Sequence, residues 1–230
     1  MIRRFIAALA LAGATLGPAV AVLTGAAEPD RALTAAERER IDRGELVGRT
    51  RPVDGFPWPE VTVYARVAAA PAEVMATYAD FDAQATVLPE MVQSRIVGRD
   101  GPTAWRVFYE YDVAGPNERY TVTVRLGRVT GGYGAAWDLV RARYARRLAG
   151  EMHVVENGAG SLVRYVSRVD PGTLGVTLGS PESVERRLRA TVQALVRHVE
   201  RLRTERPDAL AALVRTLLLA VDGGAESDSR

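Results

Sequence analysis

Few side chains in this sequence are suited to chemistry at neutral pH. The chain has two histidines, His153 and His198, and no cysteine, which excludes disulfides, thiol catalysis and thiolate metal sites. His153 stands between Met152 and Val154 in a stretch of strand-like alternation, so its side chain is expected on the opposite face from theirs. His198 lies one position away from an apolar helical stripe. Neither histidine is predicted to act as a base.

No motif of hydrolytic, metal-dependent or nucleotide-dependent chemistry is found either. The sequence lacks a Ser-His-Asp order, a His-Glu-x-x-His metal spacing and a glycine-rich phosphate loop. Glu110 and Asp112 are two positions apart on one strand face, but that face is expected to meet solvent. We therefore predict no catalytic residue, no metal site and no cofactor.

One face of the predicted strands is apolar and rich in aromatic side chains. Its residues are Trp105, Val107, Tyr109, Tyr111, Tyr120, Val122, Val124, Trp137, Met152 and Tyr165. The opposite face is predicted to be solvated; it carries Arg106, Glu110, Asp112, Thr121, Thr123, Arg125, Arg164 and Arg168. Tyrosine hydroxyls are the few polar points of the apolar face. Such a face either packs as plain core or contacts a mostly apolar ligand that has one or two oxygens.

The element that must cover this face is the stretch 180–206. Its apolar residues recur at spacings of four and three, which places them on one stripe of an α-helix: Val184, Leu188, Thr191, Leu195, Val199 and Leu202. Ser180 is the predicted N-cap, and Pro181 suits the first helical position. About 23 helical residues span roughly 34 Å, the width of a small domain. This helix either closes a core or closes one side of a ligand cavity.

The chain between residues 61 and 169 predicts an antiparallel sheet. The stretch 61–67 alternates as a half-buried strand, and Pro71 opens a helix over 71–81. Further strands, separated by short turns with Gly, Pro or Asn, are predicted at 92–99, 104–113, 119–129, 133–141, 147–156 and 161–169. Short connections favour antiparallel neighbours. The predicted class is α+β, with one curled antiparallel sheet closed over the long C-terminal helix.

The segment before the sheet has two predicted parts. Residues 1–27 are typical of a signal peptide, because Arg3 and Arg4 precede an apolar run that ends in small residues. The expected location is periplasmic or secreted, with an N-terminal membrane anchor as the alternative. Residues 28–60 form a lead-in, in which Thr34 and Glu37 form a capping box at the start of a short helix and a proline-rich linker follows.

The segment after residue 206 is predicted to be an apolar helix at 207–222 and a disordered tail at 223–230. The helix either packs on the core, forms a dimer contact or makes transient contact with a membrane, and the oligomeric state stays open. A formal net charge of +2 over 230 residues gives no reason to expect nucleic acid as a partner.

Residues 58–101 resemble the opening of the START-type superfamily, also called SRPBCC. In that superfamily a first strand ends in x-A-P-x-E-V, a helix ends in D-F, and a P-E-M/W-V step leads into the next strand. The matching residues here are Ala70, Pro71, Glu73, Val74, Asp80, Phe81, Pro89, Glu90, Met91 and Val92. The match continues at Tyr165, Val169, Asp170, Pro171 and Gly172 and then along the long helix. The resemblance covers residues 33–205 and places a START-like domain at 61–206.

This resemblance implies a helix-grip fold with a cavity between the sheet and the long helix. The residues expected to contact a ligand are the ten of the apolar strand face, joined by Leu188 and Leu195 of the helix. Members of the superfamily include lipid- and sterol-transfer domains, coenzyme Q-binding proteins, polyketide cyclases and aromatases, and plant hormone receptors. Because these functions differ, the fold does not settle the function.

The expected function is noncatalytic binding or transport of a hydrophobic small molecule, such as a lipid, an isoprenoid or a sterol-like compound. Two alternatives stay open. One is a cyclase- or aromatase-like enzyme, with Tyr109, Tyr111 and Tyr165 as its candidate residues. The other is a protein-interaction module with a filled core.

Overall fold

Eight antiparallel strands form a single sheet in the computed structural model, which describes residues 33–113 and 115–227. The predicted signal peptide lies outside the described residues. The strands are β1 (Val47–Arg51), β2 (Glu60–Val67), β3 (Met91–Arg99), β4 (Ala104–Tyr111), β5 (Glu118–Val129), β6 (Gly132–Ala142), β7 (Arg147–Asn157) and β8 (Gly160–Asp170). Their order across the sheet is β1-β2-β8-β7-β6-β5-β4-β3. The predicted strands are confirmed, with small shifts at their ends.

Five helices accompany the sheet among the described residues. They are α1 (Ala35–Asp42), α2 (Pro71–Tyr78), α3 (Gly172–Leu178), α4 (Pro181–Glu205) and α5 (Pro207–Ser227), and a short 3-10 turn covers Gln84–Thr86. Helix α4 is the predicted long helix, and the predicted α+β class with a curled sheet closed by this helix is confirmed. Helix α3 was not predicted from the sequence.

Helix α4 begins where the sequence predicted and buries the predicted stripe. The hydroxyl of Ser180 accepts a hydrogen bond from the backbone N–H of Ser183, and Pro181 occupies the first turn. Leu188, Leu195, Val199 and Leu202 of the stripe are buried. Val184 and Thr191 are only partly buried, because the space above them is not filled by other side chains.

Helices α2 and α5 cover the half of the inner sheet face that α4 leaves uncovered. Helix α2 packs against β6, β7 and β8 and also against both α4 and α5. Val74, Met75 and Phe81 are completely or nearly completely buried in this core. Leu217 and Val221 of α5 join the same cluster, so the apolar side of α5 packs on its own domain. The helix continues to Ser227, through residues predicted to be a disordered tail.

The outer face of the sheet is less solvated than predicted. A second apolar cluster lies there, formed by Leu33, Ile41, Val47, Tyr64, Val155 and Leu162 under the lead-in and α1. The capping box of α1 is confirmed. The Glu37 carboxylate accepts a hydrogen bond from the backbone N–H of Thr34, and the Thr34 hydroxyl accepts one from the backbone N–H of Glu37.

Two polar residues of this outer face, Glu110 and Thr121, are buried, so their predicted solvation is wrong. Asn117 and Arg119 both donate to the carboxylate of Glu110 and cover it, and the Arg141 guanidinium lies within hydrogen-bonding distance of the Thr121 hydroxyl. Strand alternation gives the face of a residue but not what covers that face.

Candidate functional site

A cavity of about 650 Å³ lies between the inner face of the sheet and the first half of α4. Strands β4, β5, β6 and β8 form one side of its wall and α4 forms the other, and α2, α3 and several loops supply the rest. The volume falls within the range of about 300–1,000 Å³ that is typical of small-molecule sites. The core is therefore not filled at this position.

Eight of the twelve residues predicted to contact a ligand line this cavity. They are Tyr109, Tyr111, Tyr120, Val122, Val124, Trp137, Tyr165 and Leu188. Contact with a ligand stays a prediction for each of them.

The other four predicted residues, Trp105, Val107, Met152 and Leu195, do not line the cavity. Trp105 packs against Phe81, with ring centroids 6.0 Å apart, and Val107 and Met152 are fully buried in the core. Leu195 lines a separate small pocket between α2 and α4. The physical reason is that helix α2 occupies part of the inner face, and strand alternation does not show how far the open space extends along each strand.

Three tyrosines form one wall of the cavity. The rings of Tyr111 and Tyr120 stack at 5.8 Å with an interplanar angle of 7°, and the Tyr109 ring lies 5.5 Å from that of Tyr120. Burial raises the pKa of Tyr111 to about 12 and raises the pKa values of Tyr109 and Tyr120 well above the usual phenol value. All three hydroxyls therefore remain protonated at neutral pH. In this form they can donate hydrogen bonds but cannot act as bases.

The closed end of the cavity consists of Tyr78, Gln84, Trp137 and Tyr165. The Trp137 ring lies 5.0 Å from the ring of Tyr165 and 6.3 Å from that of Tyr78. Gln84 is anchored in this wall because its Nε2 donates to the backbone oxygen of Tyr78 at 2.6 Å. Burial also raises the pKa values of Tyr78 and Tyr165. The closed end thus presents aromatic surface and neutral hydroxyls.

A glycine in strand β7 makes the closed end possible. Gly150 pairs with Trp137 across β6 and β7. A Cβ atom at Gly150 would lie 2.3 Å from Cζ2 of the Trp137 indole and 2.4 Å from the backbone oxygen of Val166. The missing side chain therefore lets the indole lie across the neighbouring strand.

The opposite end, the mouth, is formed by Trp58, Tyr144, Thr177, Gly179 and Arg186. Thr177, Gly179 and Arg186 are exposed, so the cavity meets solvent at this end. Trp58 comes from the proline-rich linker, and a Cβ atom at Gly179 would lie 2.9 Å from its indole. The sequence missed the mouth residues as site residues.

Three charged side chains belong to the cavity lining, and all lie towards the mouth. Oε1 of Glu118 accepts hydrogen bonds from the backbone N–H groups of Arg143 at 3.1 Å and Tyr144 at 3.2 Å. Arg187 is paired through its Nε with Oε2 of Glu90. Arg186 makes no hydrogen bond or ion pair with another described residue. Most of the lining is therefore uncharged.

The two histidines lie outside the main cavity. His153 is buried on the outer side of β7 with 1% of its surface exposed, and its Nε2 has no hydrogen-bond partner among the described residues. Burial and the neighbouring cation of Arg164 lower its pKa, against the opposing effect of Glu151. It is more deeply buried than the sequence indicated.

His198 lines the small pocket between α2 and α4, of about 20 Å³, together with Asp80. Burial and Arg201 lower the pKa of His198, while burial and Asp82 raise the pKa of Asp80. Five residues line both this pocket and the main cavity: Tyr78, Gln84, Leu88, Tyr165 and Thr191. They form the wall between the two.

A family model described as polyketide cyclase / dehydrase and lipid transport matches residues 59–200. The chain belongs to this family. The match covers strands β2 to β8 and most of α4, so the START-type resemblance seen in the sequence is confirmed. The polyketide cyclase / dehydrase and lipid transport family includes members with different functions, and membership alone selects none of them.

Three solved structures illustrate the proteins that share this fold. The STAR-related lipid transfer protein from Xanthomonas axonopodis is 19% identical with a TM-score of 0.59, over 67% of this chain and 93% of that chain. Human STARD10 is 12% identical with a TM-score of 0.54, over 71% of this chain and 74% of that chain. The di-domain ARO/CYC protein StfQ from the steffimycin biosynthetic pathway is 18% identical with a TM-score of 0.51, over 63% of this chain and 46% of that chain. At these identities the likeness shows the fold alone.

No curated protein matches the chain. Within residues 33–113 and 115–227, none of the helices has the length and apolar character needed to cross a membrane. The same part of the chain contains no group of three or more His, Asp or Glu side chains placed to hold a metal ion.

Proposed function

We propose that this chain binds a hydrophobic small molecule in the cavity between the sheet and α4 and carries or sequesters it without chemical change. The observation that carries the proposal is the cavity itself, which holds about 650 Å³ of space inside an otherwise close-packed domain. An apolar space of this size is costly to leave empty, because its lining loses van der Waals contacts. A bound apolar molecule restores those contacts.

The lining gives the expected chemistry of the ligand. Valines, leucines and aromatic rings supply most of the wall, so each buried CH₂ group of a ligand contributes about 0.8 kcal/mol to binding. Five tyrosines whose pKa values are raised by burial supply neutral donors for one or two oxygens: Tyr78, Tyr109, Tyr111, Tyr120 and Tyr165. A lipid, isoprenoid or sterol-like compound fits this pattern.

A cyclase-like activity is the second candidate, because Tyr109, Tyr111 and Tyr165 all line one cavity. Their protonated hydroxyls could orient a carbonyl-rich substrate. General-base catalysis, however, needs a group whose pKa lies near the working pH. Burial raises the pKa values of these tyrosines further away from neutral pH. The histidines that could supply a base lie outside the cavity. The binding function is therefore the better supported.

The proposal includes export, which rests on the predicted signal peptide at residues 1–27. An exported carrier would meet its ligand outside the cytoplasm, whereas polyketide intermediates are normally carrier-bound in the cytoplasm. Detection of the mature N-terminus in a periplasmic or culture fraction would support this part. A full-length chain retained in the membrane fraction would support the anchor alternative.

The test is extraction of the gently purified protein with organic solvent, followed by mass spectrometry. Wild-type protein is expected to yield one apolar molecule per chain. Val184→Trp places an indole in the cavity from α4 and is expected to abolish this yield. Gln193→Trp, on the exposed side of the same helix, is the matched control and should retain it.

An empty extract, together with no thermal stabilisation by any member of a hydrophobic library, would contradict the proposal. Conversion of an added polyketide-like substrate by the wild-type protein would instead favour the cyclase-like activity. If a variant with Phe at Tyr109, Tyr111 and Tyr165 converts the substrate equally well, those three hydroxyls are not required for the conversion.

A further inference from the structure

Charge is distributed unevenly along the cavity. The charged side chains of its lining are Glu118, Arg186 and Arg187, and none of them belongs to the closed end. The closed end offers only neutral groups, because burial keeps the hydroxyls of Tyr78 and Tyr165 protonated. A charged group on a ligand would lose its hydration at the closed end without gaining a partner of opposite charge. Any such group must therefore lie at the mouth.

Two of the three charged side chains at the mouth already have partners within the protein. The Glu118 carboxylate is occupied by two backbone N–H groups of the turn between β6 and β7. The Arg187 guanidinium forms an ion pair with the carboxylate of Glu90 through its Nε. Glu90 adopts a left-handed backbone conformation, with φ of 61°, and its backbone oxygen accepts from the N–H of Asp112 at 2.8 Å. These contacts hold Glu90 in place beside Arg187.

Arg186 is the charge at the mouth that the protein leaves uncompensated. It forms no hydrogen bond or ion pair with another described residue. Glu182, one turn earlier on α4, interacts with it electrostatically. The pKa of Glu182 is lowered mainly by hydrogen bonds from its own backbone N–H and from Ser180, so that carboxylate is already satisfied at the helix start. A guanidinium with free donors at the rim of an apolar cavity suits a planar or tetrahedral oxyanion.

We propose that the ligand carries one acidic headgroup, a carboxylate or a phosphate monoester, which Arg186 binds at the mouth while the apolar body fills the cavity. This inference rests on the proposed binding function and adds the class of ligand. A ligand with a cationic headgroup would meet the unpaired guanidinium of Arg186 at the mouth, where Oε1 of Glu118 is already engaged by two backbone N–H groups. At the closed end it would meet only neutral groups. The same cavity therefore discriminates against amines.

The test compares ligands with one chain and different headgroups. Myristic acid, myristyl phosphate, myristyl alcohol and myristylamine are titrated into the full chain at neutral pH and low ionic strength, below their aggregation concentrations. Wild-type protein is expected to bind the acid or the phosphate about ten-fold more tightly than the alcohol. A difference of about ten-fold in affinity is what one of the weaker charge-assisted hydrogen bonds contributes. The amine is expected to bind more weakly than the alcohol.

Arg186→Gln is expected to bring the affinity for the acidic ligands down to that of the alcohol. The affinity for the alcohol itself should stay unchanged, which shows that the cavity is intact. Arg197→Gln removes an exposed guanidinium from the same side of α4, about three turns further along the helix and outside the cavity lining. It is the matched control and should keep the preference. Raising the salt concentration should weaken the binding of the acid to wild type much more than its binding to Arg186→Gln.

Equal affinities of wild type for the alcohol and for both acidic ligands would overturn the acidic-headgroup inference and leave the binding function standing. An unchanged preference in Arg186→Gln would likewise overturn the role of Arg186. If none of the four ligands binds, and the extract of the purified protein is also empty, the binding function fails and the inference fails with it.

Discussion

The two ends of the cavity are built in different ways. At the closed end, Trp137, Tyr78 and Tyr165 pack ring against ring and are backed by α2, β7 and β8. At the mouth, α3 is a helix of seven residues that begins at Gly172 and is followed by Gly179. Its Val176 side chain is exposed. The closed end is part of the hydrophobic core, and the mouth is attached to that core by few contacts. Substitutions at the closed end should therefore change folding, and substitutions at the mouth should change binding.

Two glycine substitutions compare the ends directly, and the closed end should give the larger effect. Gly150→Ala forces a Cβ atom against the Trp137 indole and against the Val166 backbone oxygen, which cannot move without disturbing β8. We expect a loss of about 3 kcal/mol in the free energy of unfolding, at the upper end for overpacking. Gly179→Ala, measured in parallel by chemical denaturation, should cost only about 1 kcal/mol. Its Cβ atom would displace the half-buried Trp58 side chain and would lie 3.0 Å from the backbone oxygen of Gly175, a looser contact than those at Gly150.

Equal losses in the two variants would contradict the distinction between the ends. A loss confined to Gly179→Ala would show that the mouth, and not the closed end, determines the stability of the domain.

Acid should destabilise the folded domain through His153, which is buried on the outer side of β7. His153 is neutral in the folded protein because burial lowers its pKa below the unfolded value of about 6.5. Below that pH the unfolded chain binds a proton that the folded chain does not, so the free energy of unfolding falls as pH decreases, by at most about 1.4 kcal/mol per pH unit for this group. Above pH 6.5 this histidine contributes no pH dependence.

His153→Phe should reduce this slope below about pH 6.5 in denaturation measurements. His198 has a pKa that is also lowered, so His198→Gln should reduce the slope separately, and the double variant should reduce it most. A slope that His153→Phe leaves unchanged would show that this histidine is protonated in the folded protein or that other groups dominate.

Removal of one hydroxyl from the tyrosine wall should have the smallest effect, and it should appear in binding only. Tyr120→Phe removes a donor that faces the cavity, and we expect a loss of about 1 kcal/mol in the affinity for an oxygen-bearing ligand such as myristyl alcohol. The free energy of unfolding should change little. Tyr133→Phe is the matched control, because Tyr133 is buried but does not line the cavity. Equal effects of the two substitutions on ligand affinity would contradict a direct role for the Tyr120 hydroxyl.

The strand wall of the cavity was largely predictable from the sequence because it is built from regular elements, whereas Tyr78 and Gln84 of the closed end were not predicted as site residues. Alternation along β4, β5 and β6 placed Tyr109, Val122 and Trp137 on one face, and the stripe of α4 placed Leu188 opposite them. Local periodicity is sufficient for such residues, because the neighbouring strands repeat the same geometry. The extent of α2 across the inner face is a tertiary feature, and it covers the part of β7 that carries Met152.

The mouth was not predictable, because it is assembled from segments far apart in the chain. Arg187 meets Glu90, and Trp58 meets Gly179, although neither pair has a local sequence signal. Helix α3 contains two glycines and two threonines, which are poor helix formers, so its sequence did not indicate a helix. The buried Glu110 was missed for a related reason, because Asn117 and Arg119 cover it from a different strand and turn.

The most direct measurement is photo-cross-linking of the full chain with a long-chain alcohol that carries a diazirine group, followed by mapping of the modified peptides. The proposed binding function predicts adducts on the cavity wall, at residues such as Val122, Val124 and Leu188, and their loss in Val184→Trp. Adducts confined to exposed apolar residues such as Val92, Val140 and Leu219, unchanged in Val184→Trp, would show that the cavity does not bind the ligand.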